Sequence, residues 1–154
     1  MAKNKFLWGI PAILLVFAII VIGCNSGGGG GGGTPTPTGV AKTLVVTGYT
    51  GGGTEAAVAL INDLEDFDDF DIDNPDPEVF GKKLIAYSEE ENAVSGTTIT
   101  LPLYNWNETK WTGSGSYYII LMDNVGNIYF TAAKISFSGA TTTVPFSSFT
   151  KLED

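Results

Sequence analysis

Short runs of residues with high strand propensity constrain the fold of this 154-residue chain more than any other feature of its sequence. From Lys42 onward, stretches rich in Val, Ile, Thr, Tyr and Phe are separated by Gly, Asn, Asp and Ser. Such a spacing of strand and turn residues is typical of an all-β domain. We therefore expect this part of the chain to fold into paired strands.

Two of these runs predict how the strands are buried. Ser116–Met122 is apolar on both faces, because alternate side chains of a strand point in opposite directions. It is the best candidate for a central strand that is covered on both sides. Thr98–Tyr104 alternates between polar and apolar residues, as a strand with one buried face does. Pro102 within it has no amide proton to donate, which predicts an edge position or a bulge.

A hairpin is predicted near the end of the chain. Ile128–Phe137 and Ala140–Phe146 flank Ser138-Gly139, which is a two-residue turn signal. Roughly seven strands at this spacing predict a small antiparallel β-sandwich, immunoglobulin-like or transthyretin-like in type.

The segment Thr54–Phe67 fits two structures. Ala57, Leu60, Ile61 and Leu64 have the spacing of one apolar helix face. The same segment also reads as a strand that is apolar on both faces. Its Gly-rich flanks and the all-β surroundings favour the strand, which is our prediction.

Residues 1–23 have the layout of a secretory signal peptide, with a cationic start and an uncharged run over Phe6–Ile22. The end of this segment resembles a bacterial lipobox, in which signal peptidase cuts between Gly23 and Cys24 and the cysteine sulfur carries a diacylglycerol lipid. The alternative is an uncleaved transmembrane anchor, but the apolar run is at the lower limit for spanning a bilayer. The single Cys of the chain stands where lipidation requires it, so we expect a lipoprotein.

Residues 24–41 are expected to form a flexible linker behind the lipidated cysteine. Seven consecutive glycines, Gly27–Gly33, precede a Thr-Pro segment, and such a stretch has no apolar side chains to offset the entropy of ordering it. Residues 42–154 then form one β-sandwich domain. Because Asn25 rather than Asp follows Cys24, we expect anchorage in the outer membrane or at the cell surface of a bacterial envelope rather than in the inner membrane.

The charge and the missing residue types exclude several functions. The chain has 17 acidic residues, 8 lysines, no Arg and no His, for a formal net charge of −9. Nucleic-acid binding rests on cationic contacts with phosphate, so we expect none. The lack of His excludes imidazole acid–base catalysis, and a single Cys forms neither an internal disulfide nor a cysteine zinc cluster. We expect a protein that is not an enzyme.

Aromatic residues around one turn are the first candidate binding site. Tyr104 and Trp106 share a strand face, and Trp111 returns after the turn. Exposed rings on a hairpin stack on sugars, as in carbohydrate-binding modules, or anchor protein interfaces. For Trp111 we favour a place over the open end of the sandwich, whereas both interpretations stay open for Trp106.

An acidic segment, residues 62–78, is the second candidate site. Within it, Asp69, Asp71 and Asp73 resemble the opening of a calcium-binding loop, and oxygen ligands select Ca²⁺ or Mg²⁺. Phe80 stands where such a loop needs a bidentate Glu. We therefore favour a solvated acidic loop without a cofactor, and a calcium site is the alternative.

Three motifs in the later half resemble a known domain. Gly96–Tyr104 contains Ile-Thr-Leu-Pro-Leu-Tyr, Lys110–Tyr117 contains Trp-Thr-Gly-Ser-Gly, and Ile135–Thr141 reads Ile-Ser-Phe-Ser-Gly-Ala-Thr. Together they are similar to a β-rich repeat domain of uncharacterised, spirochaete-type surface lipoproteins. The resemblance covers roughly residues 43–150 and is specific in 96–143. It implies a secreted, lipid-anchored β domain and carries over no catalytic residue.

These features predict a membrane-anchored lipoprotein that presents a non-catalytic β-sandwich interaction domain at the cell envelope. Its expected partners are the membrane, through the acyl lipid on Cys24, and a host or envelope protein or a glycan. A carbohydrate-binding module and a calcium-stabilised structural domain are the alternatives.

Overall fold

The computed structural model describes residues 39–69 and 77–152 of the chain. Within these ranges the strands are β1 (Thr43–Thr47), β2 (Glu55–Ile61), β3 (Leu84–Tyr87), β4 (Glu91–Asn92), β5 (Ile99–Pro102), β6 (Gly115–Asp123), β7 (Ile128–Thr131), β8 (Ile135–Phe137), β9 (Thr141–Pro145) and β10 (Phe149–Lys151). The helical segments among them are a 3₁₀ helix at Leu64–Asp69, helix α1 at Pro77–Lys83 and a 3₁₀ turn at Phe146–Ser148. The predicted all-β class is confirmed.

The strands form two sheets that pack face to face. The small sheet has the order β5-β1-β9, and the large sheet has the order β10-β7-β6-β2-β3, with β4 also paired to β2 and β8 to β6. Side chains from both sheets share one buried core, whose largest members include Leu44, Val46, Leu60, Ile99, Leu101, Ile119, Leu121 and Phe137. Burial of this apolar area is the main stabilising term of the sandwich.

Strand β6 is the centre of the large sheet, as its pattern predicts. It pairs with β2 on one side and with β7 and β8 on the other. Ile119 and Leu121 point into the core between the sheets, while Ile120 and Met122 belong to a second apolar cluster on the opposite side of the large sheet. The doubly apolar sequence therefore marks a strand that is buried on both faces.

Pro102 lies at the end of β5, which is an edge strand of the small sheet. A missing amide proton does no harm at an edge, so the predicted edge position is confirmed. The alternation along this strand is also confirmed, because Ile99 and Leu101 are buried and Thr100 between them is exposed.

The hairpin predicted at Ser138-Gly139 is wrong. Strand β8 pairs with β6 in the large sheet, whereas β9 pairs with β1 in the small sheet and runs parallel to it. The two residues therefore carry the chain from one sheet to the other. The ammonium group of Lys42 fixes this crossover, since its Nζ donates hydrogen bonds to the carbonyl oxygens of Ser138 at 3.1 Å and Gly139 at 2.8 Å.

The strand predicted over Thr54–Phe67 is confirmed in its first half and wrong in its second. Strand β2 ends at Ile61 after an irregularity in its pairing with β3, and the chain then forms the 3₁₀ helix at Leu64–Asp69. Residues three apart lie on one side of a 3₁₀ helix. Leu64 and Phe67 accordingly both pack against the large sheet.

A buried polar network closes one end of the sandwich. The carboxylate of Asp123, 1% exposed, lies at the end of β6 and accepts hydrogen bonds from backbone and side-chain donors. Gly53 approaches it so closely that a Cβ there would lie 2.7 Å from the Cβ of Asp123. The Gly-rich loop before β2 is therefore shaped by its contact with this carboxylate.

Candidate interaction surface

The outer face of the large sheet, the side turned away from the small sheet, carries an apolar cluster of its own. Its buried members are Ala59, Ile61, Leu84, Tyr87, Ile120, Met122 and Ile128, and its partly buried members are Leu64, Phe67, Tyr104, Trp106, Tyr118 and Phe130. A sheet with one solvated face would show polar residues here. This face instead combines buried aliphatic residues with partly accessible aromatic rings.

The 3₁₀ helix covers one part of the outer face. Leu64 and Phe67 pack on the sheet, and Asp66 turns away to an ion pair with Lys83, whose Nζ lies 3.0 Å from its Oδ1. This pair joins the 3₁₀ helix to the end of α1. The described beginning of the acidic segment is thus held against the large sheet by these contacts.

A turn over residues 104–110 brings two aromatic side chains to the outer face. Tyr104 bridges to both Tyr87 and Lys110, and the rings of Tyr87 and Tyr104 lie 6.1 Å apart. The backbone amide of Asn105 donates to the carbonyl of Thr109 at 2.7 Å, which closes the turn. Trp106 stands within this turn and packs, partly buried, against the outer face.

Side-chain hydrogen bonds and one unusual backbone angle characterise the turn. The Asn107 carboxamide oxygen accepts hydrogen bonds from the backbone amide of Thr109 at 3.3 Å and from its hydroxyl at 2.6 Å. Glu108 has a positive φ of 64°, which places it in the left-handed region. Its exposed carboxylate therefore projects from a backbone that the turn fixes.

The electrostatic surroundings of Tyr87 are negative. Burial raises the pKa of Tyr87, and the negative charges of Glu108 and Glu89 raise it further. Glu89 and Glu108 come from different loops, and both are exposed.

At the other side of the same face, Lys134 lies over an aromatic ring. The Nζ atom of Lys134 lies 5.6 Å from the ring centroid of Tyr118 and 3.7 Å from a carboxylate oxygen of Asp63. An ammonium over a ring face is attracted by the ring's quadrupole. Ring and carboxylate here contact one ammonium together.

Trp111 lies on the opposite side of the large sheet from Tyr104 and Trp106. It is 5% exposed and belongs to the core between the sheets, where its ring packs edge-on against Phe137 at 5.7 Å and Tyr117 at 5.8 Å. The structure therefore separates the three predicted aromatic residues: Tyr104 and Trp106 share the outer face, and Trp111 is a core residue.

Of the three predicted calcium ligands, only Asp69 lies within the described residues. Asp69 is the last residue of the 3₁₀ helix, and Asp71 and Asp73 lie outside the described residues. Among residues 39–69 and 77–152, no three His, Cys, Asp or Glu side chains are grouped so as to hold a metal ion. The calcium hypothesis stays a prediction. The lipidation and cleavage residues, Cys24 and Gly23, also lie outside the described residues.

Sequence reasoning missed the outer-face residues that come from other strands. Tyr118 and Phe130 alternate with core residues along β6 and β7, and Tyr87 ends β3. The doubly apolar pattern of Ser116–Met122 was the available signal for Tyr118, because it requires something apolar on both sides of the sheet. Which residues meet there depends on strand pairing, which the pattern does not specify.

Within residues 39–69 and 77–152, none of the helical segments has the length and hydropathy of a membrane span. Comparison with protein families, with curated proteins and with solved structures finds no match for this chain. The resemblance to spirochaete-type surface lipoproteins stays a prediction.

Proposed function

We propose that this chain is a lipid-anchored protein of the bacterial envelope whose β-sandwich is a non-catalytic binding domain, with the outer face as its contact surface. The observation that carries the binding role is the outer face itself, where Tyr104, Trp106, Tyr118 and Phe130 are partly accessible beside buried aliphatic residues. Aromatic residues of this kind are enriched at protein interfaces.

The sequence supports the anchor and the spacer. Acylation of Cys24 would hold the chain in a membrane, and residues 25–41 would separate the sandwich from it. A rigid sheet that presents a fixed surface at the end of a flexible tether suits a binding domain, because the tether gives reach while the sheet keeps the contact residues in place.

The anchor is tested by metabolic labelling of cells that express the full chain, with a radioactive or clickable palmitate analogue. We expect the wild-type chain to carry the label and to fractionate with membranes. The variant Cys24→Ser should lose the label, and Cys24→Ser chains that retain it would refute the anchor. Intact cells are then treated with a protease, with lysed cells as the control.

Loss of the sandwich from intact cells supports presentation at the surface. Digestion only after lysis would limit the partners to components inside the envelope and would refute the surface position. Either result leaves the outer face as the surface to be tested for binding.

Carbohydrate binding is the second candidate, favoured by the partial accessibility of Tyr104 and Trp106 on the outer face. Trp111 takes no part in this version, because it lies in the core. Soluble glycans added to the full chain should then change the fluorescence of wild-type protein, and Trp106→Phe should abolish the change. A glycan panel that produces no change would exclude this candidate.

A further inference from the structure

We propose that two copies of this chain associate edge to edge through strand β9, so that their three-stranded small sheets join into one continuous sheet. The contact belongs to the small sheet and does not involve the outer face of the large sheet. This inference therefore goes beyond the proposed binding function and does not depend on it.

Strand β9 has an open edge. It is the last strand of the small sheet, and in the part of the chain that the structure describes β1 is its only strand partner. The amide of Thr43 in β1 donates to the carbonyl of Ala140 at 2.9 Å. Because bonding residues alternate along a strand, Thr142 also bonds to β1, and the backbone groups of Thr141 and Thr143 point away from it. These amides and carbonyls are a template for a further strand.

The open edge of β9 lacks the features that usually protect an edge strand, which are charged side chains, proline and bulges. Its sequence is Thr-Thr-Thr-Val-Pro, so no residue is charged and Pro145 ends the strand without interrupting it. The opposite edge of the same sheet, β5, includes Pro102 among four residues, and the edge strand β10 of the large sheet includes Lys151. Strand β9 is thus open to pairing where β5 and β10 are protected.

The charge distribution allows two copies to meet at this sheet. The chain has a net charge of −9, so two copies repel each other wherever their acidic residues come together. The side chains on the small-sheet face that is turned away from the core are uncharged. By the alternation along each strand they are Thr43, Val45, Thr47, Thr100, Pro102, Thr141, Thr143 and Pro145. Joining the sheets at β9 therefore brings no like charges into contact.

The sequence of β9 is self-complementary in one antiparallel register, which favours a second copy over an unrelated strand. When Thr142 lies opposite Thr142 of the second copy, Thr141 lies opposite Thr143 of the second copy and Thr143 opposite its Thr141. Both of these pairs join residues with outward backbone groups, so each pair exchanges two hydrogen bonds. Threonine also faces threonine across the contact, and such cross-strand pairs are stabilising. A two-fold contact of this kind closes with two copies.

Sedimentation equilibrium of the full chain tests the association, in a density-matched nonionic detergent whose micelles are in excess over the protein. We expect a monomer–dimer equilibrium that depends on protein concentration. Raising the salt concentration should strengthen the dimer, because it screens the repulsion between the acidic copies.

Two proline variants locate the contact. Thr143→Pro removes an outward amide and should raise the dissociation constant about tenfold or more, since one hydrogen bond is lost on each side of the two-fold axis. The matched control is Thr100→Pro in β5. The amide of Leu103 donates to the carbonyl of Lys42 at 3.0 Å, so by the same alternation the amide of Thr100 also points away from β1. Thr100→Pro should leave the dissociation constant unchanged, and circular dichroism of both variants checks that the fold is kept.

Cysteine variants test the register without removing a hydrogen bond. In this register the two Thr142 residues form a non-hydrogen-bonded pair with Cα atoms about 4.5 Å apart, which a disulfide spans. Thr142→Cys should therefore give a disulfide-linked dimer when the detergent solution is treated with a mild oxidant. Thr141→Cys should not, because its two copies lie more than about 7 Å apart. The wild-type chain, treated in the same way, controls for linkage through Cys24.

Sedimentation as a monomer at every concentration would overturn the inference. Equal losses of association for Thr143→Pro and Thr100→Pro would also overturn it, because the contact would then lie elsewhere. Linkage of Thr141→Cys without linkage of Thr142→Cys would contradict the register on which the second copy is argued. Palmitate labelling and glycan binding measure the proposed function separately, so failure of the dimer and failure of that function are distinguishable.

Discussion

The hydroxyl of Tyr49 donates a 3.0 Å hydrogen bond to the carboxylate of Asp123, a residue 74 positions further along the chain. The same carboxylate oxygen accepts from the amide of Gly53 at 3.2 Å and from the carboxamide of Asn127 at 2.9 Å. The second oxygen accepts from the backbone amides of Asn127 at 2.8 Å and Val125 at 3.3 Å. One buried carboxylate thus joins the loop before β2 to the β6–β7 turn.

Replacement of this carboxylate should destabilise the domain. Asp123→Asn keeps the shape but turns one acceptor into a donor that faces other donors, and we expect a loss of about 2–3 kcal/mol in the free energy of unfolding. Urea denaturation followed by circular dichroism measures it. Asp63→Asn, which removes an acid from an exposed ion pair with Lys134, should change stability by less than about 0.5 kcal/mol. Similar effects of both substitutions would contradict the structural role of Asp123.

The same network predicts how stability depends on alkaline pH. Burial raises the pKa of Tyr49 above its usual value, and the hydrogen bond and charge of Asp123 raise it further. The unfolded chain therefore loses this proton at a lower pH than the folded chain does. The stabilisation is complete below about pH 10 and is lost as the pH rises from there towards the folded-state pKa.

We expect the melting temperature to fall from about pH 10 upward, and Tyr49→Phe to reduce this dependence. Part of the dependence should remain, because burial also raises the pKa values of Tyr87 and Tyr129. Thermal melts at a series of pH values test the expectation, and ultraviolet absorbance reports tyrosinate formation directly. An identical pH dependence in Tyr49→Phe and wild type would show that Tyr49 does not contribute.

Two neighbouring glycines should respond differently to a methyl group. A Cβ at Gly53 would lie 2.7 Å from both the Cβ of Asp123 and the side-chain oxygen of Asn124, whereas a Cβ at Gly52 would meet nothing closer than 3.4 Å. Gly53→Ala should therefore cost about 1–3 kcal/mol through overpacking, and Gly52→Ala less than about 0.5 kcal/mol. Chemical denaturation of Gly53→Ala and Gly52→Ala measures the two losses in the free energy of unfolding. Equal stability of the two variants would show that the loop moves freely away from Asp123.

Lys42 provides a test of the crossover between the sheets. Its side chain is 7% exposed and its ammonium donates to the carbonyl oxygens of Ser138 and Gly139. Lys42→Met keeps the aliphatic stem but leaves both carbonyls without this donor, and we expect a loss of about 1.5–3 kcal/mol. Lys151→Met, at an exposed site on β10, is the control. Hydrogen exchange should also show faster exchange around β8 and β9, and unchanged protection there would refute the role given to Lys42.

The buried faces of the strands could be predicted from the sequence. Alternation in Thr98–Tyr104 and apolar character on both faces of Ser116–Met122 each describe a local property of one strand, so the pattern alone specifies them. Tyr104 and Trp106 could likewise be placed on one face, since they are two positions apart, although Trp106 lies in a turn rather than on the predicted strand. For Trp111 the sequence favoured a place over the open end of the sandwich but could not specify its contacts, because these are with Phe137 and Tyr117 elsewhere in the chain.

The sequence by itself determined the all-β class, the residues that face the core and the strongly acidic character of the surface, because these depend on local pattern and composition. Only the tertiary structure decided that β8 and β9 belong to different sheets, that β9 runs parallel to β1, and that Asp123 meets Tyr49. It also decided which rings share the outer face. Each of these results depends on pairings between residues far apart in the chain, and a turn signal such as Ser138-Gly139 is compatible with more than one of them.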